Sequence, residues 1–244
     1  MSERRGPFPA GAVQHGGGVG SMRAFPTDAF PENLDPFVLC ERFSIEPDTG
    51  FPTHPHRGFE IVSYMLEGGM AHEDSLGVSH TAREGEAMHI TTGSGMEHSE
   101  MPAENEACTG LQLWVNLPRE QKEADPEYED ASAEELPTEE AGDATVTTVV
   151  GDGSPLSLHV PTEYLDARVD GEWRWVVPAG WNGFLFGIEG AGEVAGEAFE
   201  QDDLFVVHGG DEGDEVTVSG SLRVAAVSAE PLGEPIQQRG PYVL

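Results

Sequence analysis

Positive charge is scarce in this sequence. Of its 244 residues, 12 are lysine or arginine and 45 are aspartate or glutamate, which gives a formal net charge of −33 at pH 7. Lys122 is the only lysine, and no cluster of basic residues occurs along the chain. Direct binding of nucleic acid depends on lysine and arginine side chains that neutralise phosphates. We therefore expect no direct nucleic-acid binding.

The negative charge is spread over the whole length and is not gathered in one tail. Repulsion on this scale destabilises a compact state unless salt screens it. The composition therefore indicates a protein that works in a salt-rich cytoplasm, and it is typical of the proteins of halophiles.

Cysteines and long apolar runs are also few. Cys40 and Cys108 are the only cysteines, and neither lies in a Cys-x-x-Cys or zinc-type spacing, so we expect two free, buried thiols. No run of eighteen apolar residues occurs, and residues 1–20 lack the apolar segment of a signal peptide. We expect no membrane association and a soluble, cytoplasmic protein.

What the chain does contain is glycine and proline, 31 and 18 residues, and short alternating apolar runs such as FEIVSYML and LQLWVNL. This pattern is typical of many strands joined by tight turns and predicts an all-β fold. We predict a flexible N-terminal lead-in over 1–21, a first β-barrel over 22–118, an acidic connector over 119–144 and a second barrel over 145–231.

The two series of strands resemble each other. Matching Leu66-Glu67-Gly68 to Ile188-Glu189-Gly190 sets an offset of 122 residues, at which no histidine of the second half matches His54, His56 or His98 of the first. We infer two similar β-barrels, of which only the first carries a site.

Two pairs of polar residues point to a metal site in the first barrel. His54 and His56 are two residues apart, as are His98 and Glu100, and residues at this spacing in a strand point to the same side. If the two segments are neighbouring strands, three imidazoles and one carboxylate can meet inside the barrel. Such a donor set suits Fe, Mn, Ni, Cu or Zn better than Mg or Ca.

Alternatives to this interpretation exist. A single His-x-His pair in a strand is more often an ordinary surface or core pair than a pair of metal ligands. Glu60 has the same strand parity as His54 and His56 and could replace Glu100 as a ligand; we expect it instead to orient a ligand imidazole. The remaining histidines lack a paired partner or lie in turn-like sequence, and we predict no ligand among them: His15, His72, His80, His89, His159 and His208.

Several segments resemble the pirin family of the cupin superfamily. They are NLDPFVLCERF, GFPTHPHRGFEIVSYMLEGGMAHEDSLG, TTGSGMEHSEMP, LQLWVNLPREQKEADPEYED and GEPIQQRGPYVL. The resemblance implies a bicupin, with two antiparallel, jelly-roll-like β-barrels in one chain. It also implies that one Fe(II) ion is held by His54, His56, His98 and Glu100, and that the tail over 232–244 packs back on the barrels.

The resemblance further implies a function. The leading hypothesis is a metal-dependent dioxygenase of the quercetinase (quercetin 2,3-dioxygenase) type, which acts on a flavonol or similar enol. Glu100 would be both a metal ligand and the catalytic base. The alternative is a non-enzymatic regulator whose iron state alters its binding to a protein partner, such as a transcription factor or a metabolic enzyme.

Overall fold

The computed structural model describes residues 3–244, and its regular structure is almost entirely β-strand. All ladders between the described strands are antiparallel. The predicted all-β fold is confirmed. Within residues 3–244, no helix has the length and apolar character needed to cross a membrane.

The first barrel is built from a seven-stranded sheet that faces a four-stranded sheet. Its strands are β2 (Gly11–Gly16), β3 (Val19–Phe25), β4 (Phe37–Ile45), β5 (Phe51–His56), β6 (Phe59–Glu67), β7 (Gly69–Asp74), β8 (Ser79–Arg83), β9 (Ala87–Thr91), β10 (Met96–Pro102), β11 (Cys108–Asn116) and β12 (Glu127–Ala131). Two short 3₁₀ turns lie at Ala103–Asn105 and Arg119–Gln121.

The larger sheet of this barrel has the order β12-β9-β6-β11-β4-β3-β2, and the smaller one has the order β5-β10-β7-β8. The central strand β6 is buried at every position except its last, because one face lines the barrel and the other packs on the second half of the chain. Its β-branched and aromatic side chains suit such a position.

The second barrel is an eight-stranded sheet folded on itself, with the order β1-β18-β16-β19-β15-β14-β13 and β17 attached to β16. Its core is separate from that of the first barrel. Its strands are β1 (Glu3–Pro9), β13 (Thr138–Ala141), β14 (Ala144–Val150), β15 (Thr162–Val177), β16 (Asn182–Val194), β17 (Glu197–Glu200), β18 (Asp203–His208) and β19 (Asp214–Ala229).

The two barrels exchange edge strands. β1 is the first strand of the first repeat but pairs with β18 of the second barrel. Its counterpart β12 is the first strand of the second repeat but pairs with β9 of the first barrel. Each strand along the path β12-β9-β6-β11-β4-β3-β2 therefore has a counterpart in β1-β18-β16-β19-β15-β14-β13. This correspondence supports the internal repeat inferred from the sequence.

Because of this exchange, the observed limits of the two barrels differ from the predicted ones. The sequence predicted a flexible lead-in over 1–21, but residues 3–9 and 11–16 form β1 and β2; residues 1 and 2 lie outside the described part of the chain. The predicted connector over 119–144 holds β12 and β13, one strand for each barrel. β1 and β12 pair with strands remote in sequence, and β13 has only four residues, so local pattern alone did not indicate them.

A shared core joins the larger sheet of the first barrel to the sheet of the second. The Phe184 ring meets Phe25 and Phe37 edge to face, with ring centroids 5.0 and 5.2 Å away. Arg42 forms a bidentate ion pair with Asp202 across the same boundary. Both cysteines are free and buried, as predicted.

The C-terminal tail lies against the first barrel. It contains a small hairpin of β20 (Gln238–Arg239) and β21 (Tyr242–Val243). The Val243 amide donates to the Arg57 carbonyl at 3.0 Å, and Asp35 accepts hydrogen bonds from the amides of Leu232 and Gly233. The tail therefore reaches the segment that carries His54 and His56.

Candidate metal centre

The three histidines singled out in the sequence meet at one point. His54 and His56 lie on β5, and β10 pairs with it so that His98 stands opposite His54. One ring nitrogen from each imidazole lies within 4.8 Å of the other two, and the Nε2 atoms of His54 and His98 are 3.0 Å apart. No other such group occurs among residues 3–244.

Backbone carbonyls orient two of these rings. His54 Nδ1 donates to the Pro52 carbonyl at 2.9 Å, and His56 Nδ1 donates to the Pro241 carbonyl at 3.3 Å. A carbonyl only accepts, so the proton of each neutral ring resides on Nδ1 and leaves the Nε2 lone pair available. Pro241 belongs to the tail, which therefore helps to position a candidate ligand.

Burial keeps these imidazoles neutral. It lowers the pKa of His56 to about 3, with help from the neighbouring His54, and it lowers the pKa of His98 to about 2, with help from His56 and His54. The pKa of His54 is also lowered by burial. Neutral imidazoles bind metal ions through their lone pairs, so the cluster has the state a metal site requires.

Glu100 lies beside this group but outside it. It follows His98 by two residues on β10, is buried, and lines the same cavity, yet its carboxylate is not within the 4.8 Å group of three nitrogens. Gln112 Nε2 donates to both of its oxygens at 3.4 Å. Burial raises the pKa of Glu100 to about 7, against the opposing effect of Gln112.

The histidines open into a cavity of about 320 Å³. Trp114 and Leu39 supply apolar surface there, and the Trp114 ring stacks on Phe59 with centroids 4.2 Å apart. The tail covers part of the cavity through residues 238–241. A pocket of this volume, with apolar walls and a few polar groups, accommodates a small molecule.

The sequence did not indicate one wall of this cavity. His15 on β2 has its Nε2 3.0 Å from Ser21 Oγ and 3.3 Å from Glu41 Oε1, and Arg23 also binds the buried Glu41 carboxylate. The sequence predicts no ligand role for His15, because His15 has no paired partner. The signal that could have found it is the alternation of AVQHG, in which Val13 and His15 share a side.

The sequence also predicts no ligand role for His72, which lies directly behind the three clustered histidines. It is fully buried on β7, its Nε2 is 3.1 Å from Asp74 Oδ2, and its ring centroid is 5.3 Å from that of His98. The Nδ1 atoms of both His72 and His98 are buried without a hydrogen-bond partner among the described residues. The spacing of His72 and Asp74, the same as in the two predicted pairs, was the available signal.

The expected role of Glu60 is wrong. Gly58, with φ of 85°, turns the chain between β5 and β6, so the strand parity of His54 and His56 does not continue to Glu60. Glu60 Oε1 instead lies 3.0 Å from His89 Nε2 and 3.0 Å from His159 Nδ1. It therefore touches none of the three clustered imidazoles.

The cluster fits a divalent transition ion. Three neutral imidazole nitrogens, two of them on buried residues, converge within 4.8 Å and are donors of the type that such ions prefer. The Nε2 atoms of His54 and His98, 3.0 Å apart, stand at a distance at which a proton or a cation lies between two nitrogens.

Comparison with known proteins assigns the fold to a family. The family profile "Pirin" matches residues 18–115, and the profile "Pirin C-terminal cupin domain" matches residues 164–244. The chain belongs to the pirin family. It is 40% identical over 226 residues to Pirin-1 of Arabidopsis thaliana, which covers 86% of this chain and 77% of that protein. The predicted bicupin architecture is thereby confirmed.

Solved structures show the same fold. A quercetin 2,3-dioxygenase from Acinetobacter baumannii has a TM-score of 0.83 and 25% identity, covering 99% of this chain and 83% of that one. The bacterial pirin YhhW of Escherichia coli, in complex with nickel(II), has a TM-score of 0.76 and 23% identity, covering 95% of this chain and 99% of that one.

Proposed function

We propose that this pirin is a metal-dependent dioxygenase that acts on a flavonol or a similar enol. The observation that carries the proposal is the convergence of three neutral imidazole nitrogens within 4.8 Å at the wall of a cavity with aromatic sides. The likeness to a quercetin 2,3-dioxygenase supports the choice of substrate class.

His54, His56 and His98 would hold the ion, with Glu100 as the fourth ligand, and Fe(II) is the ion we propose. Manganese, nickel, copper and zinc suit the same donors. When bound, the ion would supply Lewis acidity to the hydroxyl and ketone oxygens of an enol and an open position for dioxygen.

The protein's own residues would bind and deprotonate the substrate. Trp114 and Leu39 would contact the rings of the substrate and exclude water. The Glu100 carboxylate faces the same cavity and would take the proton from the enol hydroxyl onto one of its oxygens. Gln112, which donates to both oxygens of Glu100, would keep that carboxylate in place.

Anaerobic purification in high salt, metal analysis, and an assay of quercetin with carbon monoxide release test this proposal. We expect one equivalent of metal, loss of quercetin absorbance, and release of carbon monoxide. His56→Ala should remove a ligand, so both the bound metal and turnover should fall at least about a hundredfold. His208→Ala, which changes a second-barrel histidine that pairs with Asn182, is the matched control and should retain both.

Other outcomes would lead to different conclusions. Stoichiometric metal with no turnover of any enol tested would overturn the enzyme and favour the iron-dependent regulator that acts through a protein partner. Absence of metal from the wild-type protein, even after loading with each candidate ion, would overturn both functions.

A further inference from the structure

The second barrel has a cavity of its own, of about 480 Å³. Residues of β13, β14 and β15 line this cavity. In the first barrel the corresponding strands are β2, β3 and β4, and residues of these strands line the cavity of the candidate metal site. The two cavities therefore occupy equivalent places in the two repeats.

Strand register makes the equivalence specific. In the first barrel Leu39 stands opposite Trp114 across β4 and β11. The position equivalent to this pair in the second barrel is Glu163 opposite Ser228, across β15 and β19. The far end of β15 lines the cavity with Trp173 and Trp175 and takes the place of the strand that carries the histidines. The second cavity thus has indoles on the wall where the first has imidazoles, and a carboxylate in the place of Leu39.

Two buried polar groups, one on the cavity wall and one behind it, lack partners. Trp175 is 1% exposed and Ser228 is fully buried, and neither Trp175 Nε1 nor Ser228 Oγ has a hydrogen-bond partner among the described residues. The two side chains meet over Gly183, where a Cβ would lie 2.8 Å from the Trp175 ring and 3.2 Å from Ser228 Cβ. Buried polar groups without partners are rare and mark a place where water or a ligand completes the hydrogen bonds.

Glu163 is the charged group beside these two. Burial raises its pKa, and the neighbouring Trp175 indole opposes that rise. No cationic side chain contributes to the pKa of Glu163. Arg174 at the cavity edge binds Glu172 and Glu215 instead.

We propose that the cavity of the second barrel binds a small organic ammonium ion with an apolar body. The ammonium group would donate to the Glu163 carboxylate, which lines the cavity. Its charge would lie against the indoles of Trp173 and Trp175, which attract cations through the ring face. Val146 and Leu165 would contact the apolar body. This site needs no metal and is independent of the first cavity.

Isothermal titration in high-salt buffer tests this proposal, with benzylammonium as the probe and benzyl alcohol as its neutral analogue. We expect benzylammonium to bind one site and benzyl alcohol to bind at least about tenfold more weakly, because a hydrogen-bonded charge pair is worth that much or more. The affinity should persist in His56→Ala, in which the first cavity is altered.

Two variants locate the ammonium group. Glu163→Gln keeps the shape and removes the charge, and it should weaken benzylammonium at least about tenfold. Glu197→Gln removes the same charge from an exposed position on β17 and should leave the affinity unchanged. Equal affinity for the two probes, loss of binding in His56→Ala, equal effects of the two variants, or no binding at millimolar probe would each overturn the proposal.

Discussion

Glu60 shows how a single buried charge is stabilised in this molecule. Its side chain is fully buried and accepts from His89, from the ring of His159 and from the His159 amide. Burial alone would raise the pKa of Glu60, but the two histidines outweigh it and lower that pKa. Glu60 belongs to the first barrel and His159 to the segment before β15, so this contact joins the two repeats.

The contact between Glu60 and His159 predicts a pH-dependent stability. The hydrogen bond to Glu60 raises the pKa of His159, so its stabilisation is complete below the unfolded value of 6.5 and is lost as pH rises through the higher folded value. His159→Gln should therefore lower the free energy of unfolding by about 1 kcal/mol or less near pH 5.5, because the ring is partly exposed. The difference should shrink as pH rises through the raised pKa of His159.

Urea unfolding at a series of pH values and constant salt measures this difference. His208→Gln replaces a histidine whose partner is an amide and serves as the control, for which we expect no comparable trend. A deficit of His159→Gln that is constant with pH, or that grows as pH rises, would contradict the assignment.

At the scale of the element, the C-terminal tail is fastened to the first barrel by the only lysine. Lys122 Nζ donates to the Gly58 carbonyl at 2.7 Å, to the Asn116 side chain at 2.5 Å and to the Val243 carbonyl at 3.3 Å, which uses all three of its donors. A Cβ at Gly58 would lie 2.0 Å from the Val243 oxygen, so only glycine permits this approach. The same tail carries the Pro241 carbonyl that orients His56.

Lys122→Met should release the tail while keeping most of the stem packed. Three buried oxygens would lose their donor, so we expect a loss of about 1 to 3 kcal/mol in the free energy of unfolding. Hydrogen exchange at the Val243 amide should accelerate, and metal affinity should fall as His56 loses its orientation. Arg239→Met, an exposed charge on β20, is the control. Unchanged exchange at Val243 in Lys122→Met would refute this role of the lysine.

At the scale of the whole molecule, two forces act in opposite directions. The exchanged edge strands, the shared core and the buried network of Tyr64, Asp166 and Arg223 hold the barrels together. The net charge of −33 opposes them, because repulsion between the carboxylates destabilises the compact state. Salt screens exposed charges more than buried pairs, so it should relieve the repulsion and leave most of the attraction.

The urea midpoint of unfolding should therefore rise with sodium chloride and level off near about 1 M, where the screening length is only about 3 Å. Potassium chloride at equal ionic strength should give the same curve, because the effect is one of screening. Full stability in dilute buffer, with no gain on adding either salt, would argue against salt adaptation.

The sequence by itself predicted the fold class and the duplicated barrels. It also predicted that His54 and His56 point to the same side, because strand alternation is a local property of the chain. It also indicated His98, since the same spacing recurs with Glu100. Local pattern failed where a turn reversed the parity, as Gly58 does before Glu60.

Only the tertiary structure decided which strands pair and which side chains meet across them. The exchange of β1 and β12, the place of His15 in the cavity wall, the contact of His159 with Glu60 and the cavity of the second barrel all join segments far apart in the sequence. Such contacts form because apolar faces must be buried and buried polar groups must find partners over the whole molecule, a condition that no short stretch of sequence expresses.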